Sequence, residues 1–246
     1  MSQPWYVAAF LSGYSARYKH RSNELGEREV AFALRALGLK KGARVLDLCC
    51  GAGRHSRALA RAGLDVVGAD LSTDLLNEAR EQSEKLKINY LRCDMRDVPL
   101  ADASLDGAVS LFTSFGYFER EEDDQRVLQG VARMLKPGAG YLFDFFNRAP
   151  TLSRLKRVSV SYVNGACLCE RRWYDAAAKR LNKLALYEHC SKKTRVRESV
   201  RAYSPRELER LFLRAGLTVT DRFGDLFGAP FDALKSPRCV LLARKE

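Results

Sequence analysis

From Arg44 onward, short apolar runs alternate with stretches whose apolar residues recur at helical spacing, the pattern of a parallel sheet wound with helices. Arg44–Leu48, residues 65–69, Ile88–Arg92, residues 105–112 and residues 141–146 read as five successive strands. In the fourth, Ala108, Val109 and Leu111 form a nearly unbroken apolar run, as a strand covered on both faces requires. Residues 54–62, 73–85 and 121–135 read as the intervening helices. Gly63 ends the first, Ser72 or Thr73 caps the second, and Val127, Leu128, Val131 and Leu135 share one face of the third before Lys136-Pro137-Gly138 stops it.

After Arg148 the period changes from helical to two. Val158, Val160 and Tyr162 alternate with Arg157, Ser159 and Ser161; further on, Val196, Val200 and Ala202 alternate with Arg195, Arg197, Ser199 and Arg201. This predicts a small antiparallel sheet inserted after the fifth strand, with one basic face. Helical grammar returns at Ser204-Pro205-Arg206-Glu207, where Ser caps, Pro occupies the first turn and Glu207 bonds back to the cap. Gly216 ends that helix, and Leu217–Phe223 and residues 239–243 close the sheet around a loop over 224–237. The chain thus divides into an N-terminal helical segment over residues 1–40, a core over 41–147, the insertion over 148–203 and a completion of the core over 204–246.

Composition narrows the class. With 246 residues, 46% hydrophobic and 29% charged, the chain has the balance of a globular α/β domain carrying an insertion. No apolar run reaches the roughly 18 residues of a membrane helix, and no basic-then-apolar leader opens the chain, so the expected location is the cytoplasm. The seven cysteines are odd in number, and Cys167-Leu168-Cys169 lacks the ligand spacing of a zinc site; free thiols and no metal are expected. Residues 1–150 hold 21 Lys and Arg against 20 Asp and Glu, which leaves 21 against 10, a net +11, for residues 151–246. Such asymmetry points to an anionic partner, an acidic small molecule or a nucleic-acid backbone.

The densest chemical signal lies where the first strand ends. Asp47-Leu48-Cys49-Cys50-Gly51-Ala52-Gly53 brings bare backbone to the carboxyl edge of a sheet, where a Cβ would strike a bound ligand. A dinucleotide fingerprint would place a third glycine at position 56, where this chain has Ser56, and would not need Asp47 four residues before the first glycine. Asp70 ends the second strand, where a carboxylate accepts both hydroxyls of an adenosine ribose. After the third strand, Asp94 is placed to accept from an adenine amino group, and Met95 to offer a backbone N–H and an apolar contact.

These blocks resemble the motifs of the class I S-adenosylmethionine methyltransferases. Val45 to Ser72, with Asp47, Gly51, Gly53 and Asp70, is similar to the first two motifs. Cys93-Asp94-Met95, Leu105-Asp106-Gly107-Ala108-Val109 and Leu135-Lys136-Pro137-Gly138-Ala139-Gly140 follow in the family's order. The resemblance implies a Rossmann-like α/β fold, a seven-stranded mostly parallel sheet of order 3-2-1-4-5-7-6 whose last strand is antiparallel. It also implies S-adenosyl-L-methionine as cofactor, held by Asp47, Cys49, Gly51, Gly53, Asp70, Leu71, Asp94, Met95 and Leu111.

Methyl transfer from a sulfonium is an in-line displacement that positioning and water exclusion can drive, so a dedicated base is optional. Candidate catalytic residues are Phe115 and Tyr117 beyond the fourth strand, His55 at the start of the first helix, and Tyr14. Tyr14 shares a helix face with Tyr18 in an N-terminal segment that resembles a lid, to which Tyr6, His20 and Arg21 also belong. For the acceptor, one reading is a small acidic molecule paired with Arg195, Arg197 or Arg201. A second is RNA, with the basic face tracking phosphates and Trp173, Tyr174 or Tyr187 stacking on bases. A third is a cofactor-binding module without turnover.

Overall fold

A computed structural model describes residues 4–9, 22–163, 166–189 and 192–246. It contains a seven-stranded sheet and a four-stranded sheet. The N-terminal segment contributes α1 (Trp5–Ala9) and α2 (Asn23–Leu37). Ser22 caps α2 by accepting from the Leu25 amide, and Gly38 ends it in the left-handed region at φ 69°. Then follow β1 (Arg44–Leu48), α3 (Arg54–Arg61), β2 (Asp65–Asp70), α4 (Thr73–Glu81), β3 (Ile88–Arg92), β4 (Leu105–Ser110), α5 (Glu121–Met134) and β5 (Leu135–Phe146).

The order β10-β11-β5-β4-β1-β2-β3, with β10 (Leu217–Phe223) and β11 (Arg238–Lys245) completing the sheet, is the expected 3-2-1-4-5-7-6 read from its other edge. β11 runs antiparallel to both β5 and β10; the other neighbours are parallel. Side chains alternate between two apolar layers. Leu46, Leu48, Tyr141, Phe143 and Leu241 face α5 and α7 (Pro205–Arg214), whereas Val45, Val66, Leu142 and Val240 face α2 and α3. On the first face Tyr141, Phe143 and Phe212 pack ring against ring at 5.2–5.9 Å. The capping box on α7 forms in full, with Ser204 and Glu207 bonded reciprocally.

Several boundaries differ from the pattern: α4 ends at Glu81 rather than at residue 85, and β11 spans Arg238–Lys245 rather than 239–243. β4 ends at Ser110 rather than at residue 112, because Phe112 and Thr113 turn into the left-handed region at φ 72° and 58°. β5 begins at Leu135 rather than at residue 141 and runs through the stop signal Lys136-Pro137-Gly138: Leu135 pairs with Leu105, and the ladder resumes at Gly140 opposite Gly107 after an irregularity.

The insertion opens with a short helix, α6 (Arg148–Ser153), which the period of two did not show. Its sheet, β6 (Val158–Val163), β7 (Ala166–Asp175), β8 (Arg180–His189) and β9 (Lys192–Arg201), is antiparallel throughout. Cross-strand partners share a face, so Ala185, Val196, Leu168 and Tyr187 form one side, on which Trp5 of α1 packs. The other side carries Val158, Val160, Arg171, Leu184, Leu186, Arg195 and Arg197. None of the helices among the described residues is long and apolar enough to cross a membrane.

Candidate functional site

A cavity of about 500 Å³ opens at the carboxyl ends of β1, β2 and β4, where the chain leaves β1 toward β2 on one side and β4 lies on the other. Ligands of open α/β sheets bind at such a reversal of strand order. Its walls include Cys49, Gly51, His55, Asp70, Leu71, Asp94, Met95, Leu111 and Tyr117. The structure therefore brings most of the residues singled out from the sequence to one place.

Asp47 and Gly53 lie beneath the loop rather than on the cavity wall. Asp47 is buried, and its Oδ2 accepts from the Ser56 hydroxyl at 2.6 Å, which ties the end of β1 to the first turn of α3. Burial raises its carboxyl, and the charges of His55 and Arg54 oppose the rise. Gly53 is glycine for a reason other than the ligand. Its φ is 74°, and a Cβ there would overlap the Tyr90 hydroxyl and meet Ala79 Cβ at 3.1 Å, so the obstacle is the protein's own interior. At Gly51 an added Cβ would find only Leu75 Cδ1 at 3.9 Å, which leaves bare backbone facing the cavity. Cys49, at φ 60°, adopts the same left-handed backbone despite its side chain.

Asp70 turns both oxygens toward the loop: Oδ2 accepts from the Gly51 amide at 2.8 Å and Oδ1 from the Ser72 amide at 2.9 Å. Burial pushes its carboxyl up while these two donors pull it down. Each oxygen keeps a further lone pair, which is what a ribose diol needs. Burial likewise raises Asp94, but Arg96 outweighs it through bonds at 2.7 and 3.0 Å and holds the carboxylate below its ordinary value. Arg96 also lies over the Phe118 ring at 4.4 Å, joining the third-strand turn to the opposite wall. Cys49 donates to Met95 Sδ at 3.6 Å; burial keeps its thiol protonated, which makes it an apolar wall. Carboxylate, open glycine backbone and apolar sulfur-lined wall fit S-adenosylmethionine: Asp70 would hold the ribose, the turn after β3 the adenine, and the Gly51 loop the amino-acid tail.

His55 lines the cavity, and its Nε2 lies 2.8 Å from Glu29 Oε2, with Arg54 Nη2 at 2.8 Å from the same oxygen. Burial raises Glu29, but these two partners bring it below the ordinary carboxylate value. Tyr117 also lines the cavity, its hydroxyl donating to the Thr113 carbonyl at 2.8 Å. Phe115 does not; it is buried against Phe143 and Tyr203. From α1, Tyr6 stacks on Tyr117 and meets Phe118 edge-on, and Trp5 touches Tyr117 at 5.2 Å. Tyr14, Tyr18, His20 and Arg21 fall outside the described residues.

The three insertion arginines are not on the cavity wall. Arg195 and Arg197 are exposed on the sheet face turned away from α1, and Arg201 donates to the Glu119 carbonyl at 2.6 Å. A period of two separates the faces of a strand without saying which face looks inward.

Two residues that hold the site were not singled out from the sequence. Asp144, fully buried in β5, accepts from the Phe112 amide at 2.7 Å and from Arg238 of β11 through both oxygens at 2.7 Å. Arg238 also donates to Thr113 Oγ1 at 2.7 Å. The pair clamps two successive left-handed non-glycine residues, a conformation worth about 1–3 kcal/mol of strain apiece, and sets Phe112 on the wall. The signal was present as a lone acid in the apolar run 141–146 and a lone cation at the start of a buried strand.

The fold and site define a Rossmann-like S-adenosylmethionine-binding architecture, and comparison with known proteins agrees. The model of the methyltransferase domain family matches residues 45–138. The cypemycin N-terminal methyltransferase of a Streptomyces species is 29% identical over 83% of this chain and 84% of that protein. The ubiquinone biosynthesis O-methyltransferase of Coxiella burnetii is 36% identical over 44% of this chain and 45% of that one. The matched part spans less than half the length of this and several other curated relatives. An S-adenosylmethionine-dependent methyltransferase structure from Clostridium acetobutylicum superposes with a TM-score of 0.81 at 16% identity, covering 94% of this chain and 96% of that one. The match over residues 45–138 identifies a methyltransferase domain, and the fold is that of the S-adenosylmethionine-dependent methyltransferases.

Proposed function

We propose that this chain transfers a methyl group from S-adenosylmethionine to a nucleophilic atom of a small molecule bound against Tyr6, Phe112, Tyr117 and Phe118. The observation that carries the reading is that one continuous cavity joins the Asp70–Gly51 cradle to this aromatic wall. The donor supplies an electrophilic methyl carbon and leaves as a neutral thioether. The chain's own work is then alignment and water exclusion, with ring faces orienting the acceptor and α1 roofing the site. Relatives named as a cypemycin N-terminal methyltransferase and a ubiquinone biosynthesis O-methyltransferase support an amine or a hydroxyl as the acceptor group.

An acidic acceptor draws less support, because the insertion's exposed arginines lie off the cavity wall. RNA would have to use the outer sheet face. Six free thiols among the described residues fit a reducing compartment such as the cytoplasm.

Incubating the protein with methyl-labelled S-adenosylmethionine and a cell extract, then separating small molecules, RNA and protein, tests the proposal. Label should appear among small molecules and depend on Asp70. Label in RNA instead would overturn the acceptor class. No label in any fraction, with S-adenosylhomocysteine still bound, would leave a binding module.

A further inference from the structure

The aromatic wall is held from outside the main sheet. Arg180, the first residue of β8, donates from Nη1 to the Phe118 carbonyl at 2.8 Å. Its Nη2 donates to the carbonyls of Gly116 at 3.2 Å, Tyr117 at 3.1 Å and Ser199 at 2.6 Å, and its Nε to Ser199 Oγ at 2.8 Å. The side chain is therefore fixed to β9 through Ser199 while gripping three successive loop carbonyls. Arg201 adds its backbone amide on the Gly116 carbonyl at 2.7 Å and its Nη2 on that of Glu119. Gly116 has φ 78°, and a Cβ there would meet the Arg201 carbonyl at 2.9 Å, so the end of β9 lies directly on the loop backbone. The loop so held places Tyr117 and Phe118 on the cavity, whereas no described residue of the insertion lines it. A planar fork of donors suits several carbonyls at once; a lysine ammonium on a flexible stem does not reproduce it.

We propose that Arg180 is a positioning residue through which the insertion sheet fixes the Gly116–Tyr117–Phe118 backbone, and so the acceptor's orientation toward the methyl group. This rests on the reading of the cavity as the site of methyl transfer. The rival account is that Arg180 only fastens the insertion to the core.

Arg180→Met and Arg180→Lys separate the two. With Arg180→Met, hydrogen exchange should rise over residues 112–119 and stay unchanged over 47–53, and S-adenosylhomocysteine affinity by calorimetry should stay within about threefold of wild type. Label transfer to the small-molecule fraction should fall on the order of a hundredfold at saturating donor, as expected when a reacting group is misplaced by about an ångström. Arg180→Lys should recover part of the rate. Exchange rising evenly across the insertion and core, or transfer unchanged while the 112–119 loop loosens, would overturn the proposal. If wild type transfers no label at all, the proposed function fails, and the exchange pattern with unaltered donor affinity still decides whether Arg180 holds the loop.

Discussion

At Gly53 the demand for glycine comes from below the loop, where the Tyr90 hydroxyl occupies the space of a Cβ. Gly53→Ala should lower stability by at least about 1–2 kcal/mol, the left-handed penalty for a side chain, plus the overlap. Tyr90→Phe in the same background removes the nearest atom and should restore part of the loss in urea melts. Asp70 works from the other side, holding Gly51 and Ser72 while keeping lone pairs toward the cavity. Asp70→Ala should weaken S-adenosylhomocysteine binding roughly ten- to a hundredfold by calorimetry, on the scale of hydrogen bonds to a charged group. Both residues were legible in the sequence, because a G-x-G after a strand and an acid ending the next strand are signals of residue type and place. The reason for Gly53 was not, since it depends on a tyrosine of β3, two strands over from β1.

Between elements, buried charges do the joining. Arg238→Met would strand the Asp144 carboxylate in the core and should cost about 3–5 kcal/mol in urea unfolding, with exchange rising first at Phe112 and Thr113. Asp124 of α5 is a different case: it is fully buried and accepts from the Tyr203 hydroxyl at 2.8 Å. Burial pushes its carboxyl from the ordinary 3.8 up to about 7, with Tyr203 and Arg201 offsetting only part. The folded state therefore keeps a proton that the unfolded chain has released between these values. That contribution is whole below about pH 4 and is lost as pH rises through about 7. Asp124→Asn cannot ionise, so its stability relative to wild type should improve from pH 4 to pH 8 by on the order of a few kcal/mol. The helices and strands themselves were readable from caps and periodicity, each carrying its own local signal. Arg180 was not, and Arg201 was singled out for an acceptor rather than for the loop it holds, because an arginine bonded to carbonyls leaves no partner residue type to recognise.

For the molecule as a whole, a ligand of the cofactor site that binds only the folded chain must stabilise it. At a hundred times its dissociation constant, S-adenosylhomocysteine should add about 2.7 kcal/mol and raise Tm by roughly 5–10 °C, read by scanning calorimetry. The main sheet's order was legible through its resemblance, and the insertion through its change of period. Which face of the insertion looks inward depended on where α1 packs, and alternation carries no record of that.

One cavity thus depends on two sheets: the first carries the Asp70–Gly51 cradle, and the second, off the cavity wall, grips the backbone of the Gly116–Phe118 loop. Under the proposed function, the donor half and the acceptor half can drift separately in a lineage, provided a guanidinium still reaches the loop from the first residue of β8. Grafting a relative's insertion onto this core is then a route to a new acceptor with the donor site left untouched, and the graft points are the ends of β5 and α7.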